Sequence, residues 1–209
     1  MPPTQILPTL SPNNGSQLLE EVYQGRQTYE FKRGITIPLH SQELWVVCRG
    51  ILQLRTFDSE GNEAILGLAY PEMPFGLPFT QIDPYEVIAL SDVVLMRITQ
   101  IELERSSVLA QGILSQLNRR LQQAEDLLAL VHLHPVSARC RELLLLLSKE
   151  IGEQTPEGIR IKVRLTHQQI ADLAGVTRVT ATRVLGELRK EGWLSIDRTR
   201  HLVVHSSRF

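Results

Sequence analysis

The 209-residue chain predicts an α+β fold in three parts: an N-terminal double-stranded β-helix (jelly-roll) sensor domain, a long dimerisation helix and a C-terminal winged helix-turn-helix. Three observations carry this. Short β-branched runs divided by turn clusters fill 22–97, apolar residues then recur at alternating steps of three and four, and Leu165 to Ile196 reads as two short helices joined by a glycine. The expected divisions are a tail over 1–17, the roll over 18–100, the helix over 101–132 and the winged domain over 133–209.

The first 17 residues are rich in Pro, Asn, Gly and Ser and have neither a basic segment nor an apolar one. They read as a disordered tail, not a signal peptide. From about Val22 to Arg97 the runs YEFKRG, ITIPL, ELWVVCRG, ILQLRTF, EAILGLAY and VIALSDVVLMRI are β-branched or alternating, with turns such as Asp58 to Asn62 between them. That spacing predicts a small antiparallel barrel or roll.

A helical pattern starts at about Ile101. Leu114, Leu117, Leu121, Ala124, Leu128 and Val131 form an a/d seam that would run ~26 Å at ~1.5 Å per residue. Two readings stand: a parallel homodimer, or a single helix packed on its own domain. The dimer is preferred, because two half-sites ~34 Å apart need two reading helices. Arg120 at g and Glu125 at the following e′ would pair across it. Pro135, in HLHPV (His132 to Val136), ends the helix and makes a hinge.

Next comes the helix SARCRELLLLLSKEIG, then a turn in EQTPEGIR and a strand IRIKVRL. Thr166 and Gln169 form a capping box for the first reading helix, with Ile170, Ala171, Leu173 and Ala174 on its apolar face. Gly175 supplies the turn, and Thr177 caps the second helix. The expected core face of that helix is Val179, Val184, Leu185 and Leu188. Its outward face carries Arg178, Thr180, Thr182 and Arg183, with Arg189 and Lys190 in the last turn. Arginine grips guanine O6 and N7 bidentately, and short hydroxyls bond phosphate or base edges. The alternative is a packed helix pair with a solvated basic face; double-stranded DNA is the preferred partner. WLSIDRTRHLVVH closes the domain as the wing, and Arg198, Thr199 and Arg200 at its tip either contact phosphate or form an ordinary solvated hairpin.

The net charge is −1, but it is split: from Leu133 onward there are 13 Lys and Arg against 8 Asp and Glu, and before it 9 against 15. A basic reading module joined to an acidic assembly or sensory module has this distribution. No apolar run is long enough to cross a bilayer, so a cytoplasmic location without membrane contact is expected. Cys48 and Cys140 have no second cysteine at metal-binding spacing, so no metal site and no cofactor is expected. Nothing pairs His40, His132 and His134 for haem ligation.

The order of roll, long helix, proline hinge and winged helix-turn-helix resembles the CRP/FNR family of transcription regulators. Its nitrogen-control (NtcA-type) branch is the most similar: TRVTATRVLGELR here stands beside TRVTVTRLLGDLR there. The resemblance makes Arg178 and Arg183 the guanine-reading arginines and puts Val179 where cyclic-AMP receptors have a glutamate. Valine touches only a thymine methyl, which implies a half-site of GTA/TAC type. It assigns His167 and Gln168 to phosphate, at a helix start that favours anions. It also implies a regulator that contacts RNA polymerase, through the loop Thr155 to Arg160.

For the effector, the resemblance points to Phe75, Gly76, Leu77, Arg120 and Glu125. The arginine that holds the anion in the family is replaced by Asp83, in a shortened loop. A carboxylate there repels anions, so cyclic AMP is not expected and 2-oxoglutarate becomes doubtful. A partner protein, a redox or haem signal, or no effector at all remain as alternatives. Two other function classes compete. A β-roll metalloenzyme would need a His-x-His pair, but the roll holds His40 alone. A ligand-binding module without DNA function would not need two outward arginines.

Overall fold

The structure, a computed structural model, describes residues 26–205, so the tail expected over 1–17 lies outside the described residues. Seven strands build the roll: β1 (Thr28–Phe31), β2 (Glu43–Arg49), β3 (Leu52–Phe57), β4 (Glu63–Ala69), β5 (Pro74–Phe75), β6 (Glu86–Ala89) and β7 (Val93–Thr99). They pair antiparallel in two sheets, β1-β7-β2-β5 and β4-β3-β6. Alternation sets the two faces of β2: Trp45 and Val47 join the roll interior, and Leu44 and Val46 pack on its outside against helix. Tyr29 and Phe31 meet the Trp45 ring edge-on, and the indole N–H donates to the Pro38 carbonyl at 2.9 Å.

Two expected strands differ. ITIPL forms only a single bridge, Thr36 with Ile88, because Pro38 has no N–H to give a ladder. VIALSDVVLMRI splits into β6 and β7, which turn at Ser91–Asp92 and belong to different sheets.

The helical stretch also divides, into α1 (Gln100–Arg105) and α2 (Ser107–Val131). Thr99 and Glu102 make a capping box for α1, and the Ser106 hydroxyl accepts from Leu109 N–H to start α2. Helix α2 has three faces. Leu109 and Ile113 pack on Leu44, Val46, Met96 and Ile98; further along the same face Gln116 donates to Glu72 at 3.3 Å, and Gln123 accepts from Leu68 N–H at 3.0 Å. A second face carries Leu114, Leu121 and Leu128, which are 59%, 59% and 64% exposed. The third, around Asp126 and Ala129, borders a cleft against the next helix.

Pro135 stands at the N-cap of α3 (Val136–Ile151), so the chain turns at the expected hinge. Next come β8 (Gly152–Thr155), β9 (Gly158–Ile161), α4 (His167–Ala174), α5 (Arg178–Lys190), β10 (Leu194–Ile196) and β11 (Leu202–Val204). EQTPEGIR is therefore a hairpin rather than only a turn, and IRIKVRL is strand only to Ile161. The wing pair joins that hairpin in one sheet, β10-β11-β9-β8. Buried residues of the roll and of the C-terminal domain form one continuous apolar cluster, and the first reading helix sits directly on the roll.

Candidate nucleic-acid interface

The capping signals fold as read. Thr166 and Gln169 complete their box, and Gly175 ends α4 in the left-handed region at φ 61. The Thr177 hydroxyl accepts from Thr180 N–H to open α5. Ala181, Val184, Leu185 and Leu188 fill the inner face of α5. Val179 does not belong there: it is 79% exposed, and Ala181 takes the core position. A helical step of ~100° per residue puts 181, 184, 185 and 188 on one side and 179 on the other. Arg178, Thr182 and Arg183 are exposed around it, while Thr180 is half-buried.

Several of these groups have partners within the chain. Arg183 donates to Glu187 one turn on at 2.6 Å, and His167 Nδ1 lies 2.9 Å from the Thr182 hydroxyl. Gln168 donates to Asp172 at 2.7 Å, and the Thr177 and Thr180 hydroxyls are 2.9 Å apart. Such exposed pairs contribute little to stability, so they can yield to DNA at small cost.

The wing tip is a built turn. Asp197 accepts from the N–H groups of Thr199 and His201, from the Thr199 hydroxyl and from Arg160 Nε at 2.7 Å. These bonds, the His201 N–H foremost, hold the Asp197 carboxyl well below the usual carboxylate range. Burial, with Arg160 beside it, lowers the His201 pKa. Arg200 lies in the left-handed region at φ 65, and it and Arg198 stay exposed at the tip.

Contacts that sequence reasoning missed hold the reading head: one joins it to the body, and two tie its turn to the hinge. Gln169 Nε2 donates to Gln53 Oε1 on β3 at 2.7 Å, and Gln53 donates in turn to Glu63. Arg139 donates to the Leu133 carbonyl at the hinge (2.8 Å) and to the Gly175 carbonyl in the reading turn (3.2 Å). Polar side chains that meet across domains leave no periodic signal. Gly186 did leave one, as a glycine inside a helical pattern. It costs α5 roughly 0.5–1 kcal/mol relative to alanine, yet an added Cβ would meet no atom within 4 Å.

A family of Crp-like helix-turn-helix domains matches residues 138–207. The Regulatory protein CysR of Synechococcus elongatus is 34% identical over 83% of this chain and 81% of its own length. The chain belongs to the CRP/FNR family of transcription regulators. Within the family it lies in the nitrogen-control branch; the Global nitrogen regulator of a Nostoc species is 30% identical over 86% of this chain and 84% of its own. A CRP-family regulator of Thermus thermophilus shares the fold at TM-score 0.72 and 21% identity, over 84% of this chain and 91% of its own. This member of the family is a DNA-binding transcription regulator with a cyclic-nucleotide-binding-like roll.

Of the effector residues that the family suggests, Phe75, Gly76, Leu77 and Arg120 are engaged by the roll. Phe75 is fully buried in the roll core and Leu77 packs on it; Gly76 lies against the Glu43 carbonyl and Leu44. Arg120 is engaged by its own chain. It turns into the roll, donating to the Pro74 carbonyl at 3.3 Å and to the Tyr85 hydroxyl at 3.1 Å, which engages the guanidinium expected to form a g–e′ pair. Glu125 is exposed on α2 and Asp83 on its loop. Of the expected seam, Leu117 is half-buried against the α2–roll cluster, and Ala124 is exposed beside the leucines. Val131 instead packs toward its own reading turn, 3.2 Å from where a Gly175 Cβ would stand. No helix of the described residues is long and apolar enough to cross a membrane.

Proposed function

We propose that the chain acts in the cytoplasm as a homodimer that reads a palindrome of GTA/TAC type and regulates transcription from it. The observation that carries this reading is Val179, exposed between Arg178 and Arg183 on the outward face of α5. A protein gains nothing from an exposed valine flanked by two arginines, whereas a DNA reader gains a thymine-methyl contact between two guanine contacts. Thr177, Thr180, Thr182, His167 and Gln168 serve the adjoining phosphates, and Arg198 and Arg200 on the wing serve those further out. The bare Leu114, Leu121 and Leu128 face, with Leu117 and Ala124 beside it, is the surface on which two copies pair. From Leu114 to Leu128 there are 14 helical steps, a stripe of ~21 Å. The hairpin turn from Thr155 to Arg160 is the surface offered to RNA polymerase.

Control does not run through cyclic AMP. Asp83 puts a carboxylate where a phosphate would need a cation, and Arg120 is held by Pro74 and Tyr85. The same two features count against 2-oxoglutarate. Calorimetry with each compound, with and without operator DNA, is expected to register no binding heat; a saturable isotherm for either would reverse this reading.

The DNA assignment is tested by gel shift on a GTA–TAC duplex. Arg178→Ala and Arg183→Ala should each cost ~1–3 kcal/mol of discrimination, a loss of about ten- to a hundredfold on the palindrome. Undiminished specific binding by both variants would refute the recognition-helix assignment.

A further inference from the structure

Between the C-terminal half of α5 and the wing strand β10 lies a cleft of about 560 Å³, lined by Gly186, Arg189, Lys190, Leu194, Ser195 and Ile196. We propose that this cleft seats the sugar–phosphate strand of duplex DNA beyond the bases read by Arg178 and Arg183, with Gly186 as the point of closest approach. The proposal rests on the DNA reading above and extends it to a surface that this reading does not use.

Val179, Arg183, Gly186 and Lys190 follow one another at steps of four, three and four, so they form one outward ridge. The cleft therefore continues the base-reading face. Among the described residues nothing beyond the helix's own backbone lies within 4 Å of where a Gly186 Cβ would stand, so their packing does not call for the missing side chain. A glycine kept mid-helix against its propensity, on the outward ridge, marks where an outside surface comes close. The lining suits a nucleic-acid strand. Arg189 and Lys190 are exposed at the rim, and their side chains make no hydrogen bond or ion pair among the described residues. Ile196, exposed beside the buried Leu194, gives an apolar wall for deoxyribose. Ser195 is shared with His205, whose Nε2 lies 2.8 Å from its hydroxyl, so the two cations are the principal phosphate donors in the cleft.

The test is fluorescence anisotropy of the full chain on the GTA–TAC duplex and on a random duplex, over a series of salt concentrations. Gly186→Ala is expected to raise the thermal unfolding midpoint, since alanine favours helix, and yet to bind the palindrome roughly tenfold more weakly, the equivalent of ~1.4 kcal/mol. Because this variant should be the more stable protein, weakened binding cannot come from misfolding. Lys190→Gln is expected to weaken both duplexes alike and to reduce the salt slope by about 0.9, one phosphate contact. Native-like affinity in Gly186→Ala, or an unchanged slope in Lys190→Gln, would overturn the proposal and leave the cleft to an acidic protein surface. Arg178→Ala is the reference. If it loses sequence preference while the two cleft variants behave as native, the cleft assignment alone fails. If Arg178→Ala and Arg183→Ala both bind the palindrome undiminished, the recognition-helix assignment on which this proposal rests fails, and the proposal with it.

Discussion

Asp197 illustrates how one residue shapes a contact surface without touching DNA. Its carboxylate accepts four bonds that close the wing turn, and Arg198 and Arg200 stand exposed because that turn is closed. Its folded pKa is depressed, so the stabilisation it brings is present above the ordinary carboxylate value of ~3.9 and is lost as pH falls through the folded value. His201 adds a loss of the same sign at higher pH: its folded pKa is also lowered, so the unfolded chain takes up the proton first below ~6.5. Urea midpoints measured against pH should therefore fall on acidification in both windows, and Asp197→Asn should flatten the lower one. A lower limb that is just as steep in Asp197→Asn would show that the wing turn does not depend on this carboxylate. Three of these bonds are local to IDRTRH, and only the fourth needs Arg160, 37 residues away in sequence.

Among the elements, the capped helices were the most legible. Thr99, Ser106, Thr166 and Thr177 all act within three residues of themselves, and such local bonds leave a local spacing. Of these, the Thr166 and Thr177 caps were read from the sequence, whereas the break at Ser106 went unread because the apolar repeat runs on past it. The turn between α4 and α5 depends on Gly175 in two ways: φ is positive, and Val131 of α2 leaves little room for a Cβ. Gly175→Ala should destabilise the protein by roughly 1–2 kcal/mol from the backbone alone, measured as a lower urea midpoint with an unchanged slope. A midpoint within error of native would mean that the turn tolerates an L-residue there. Arg139 is expected to act on placement instead. Arg139→Ala should reduce operator affinity more than it reduces the urea midpoint, because it ties the hinge carbonyl to that turn.

At the scale of the molecule, α2 serves the roll, the reading head and an exposed leucine stripe at once. Leu121→Glu puts a charge in the middle of that stripe and removes no contact from the chain's own core. The expected result is a monomer by sedimentation, with palindrome affinity lowered by more than tenfold and the thermal midpoint of the chain's own fold little changed. A dimer persisting at native affinity would move the interface elsewhere. Glu125→Arg is a useful companion: with Arg120 bonded to Pro74 and Tyr85, it should leave sedimentation as it is.

The sequence by itself determined the order of roll, long helix, hinge and winged reader, the caps and turn of the reading helices, and the arginines that face outward. All of these depend on neighbours within a few residues or on a period of two or near four, so the chain carries them locally. Only the tertiary structure decided that Val131 lies against the reading turn and that Arg120 is bound by the roll. It also showed that Gln53 ties the head to the body and that Arg139 ties the hinge to the reading turn. These depend on which surfaces meet, and a side chain's partner across two domains is set by packing that no single stretch of sequence contains.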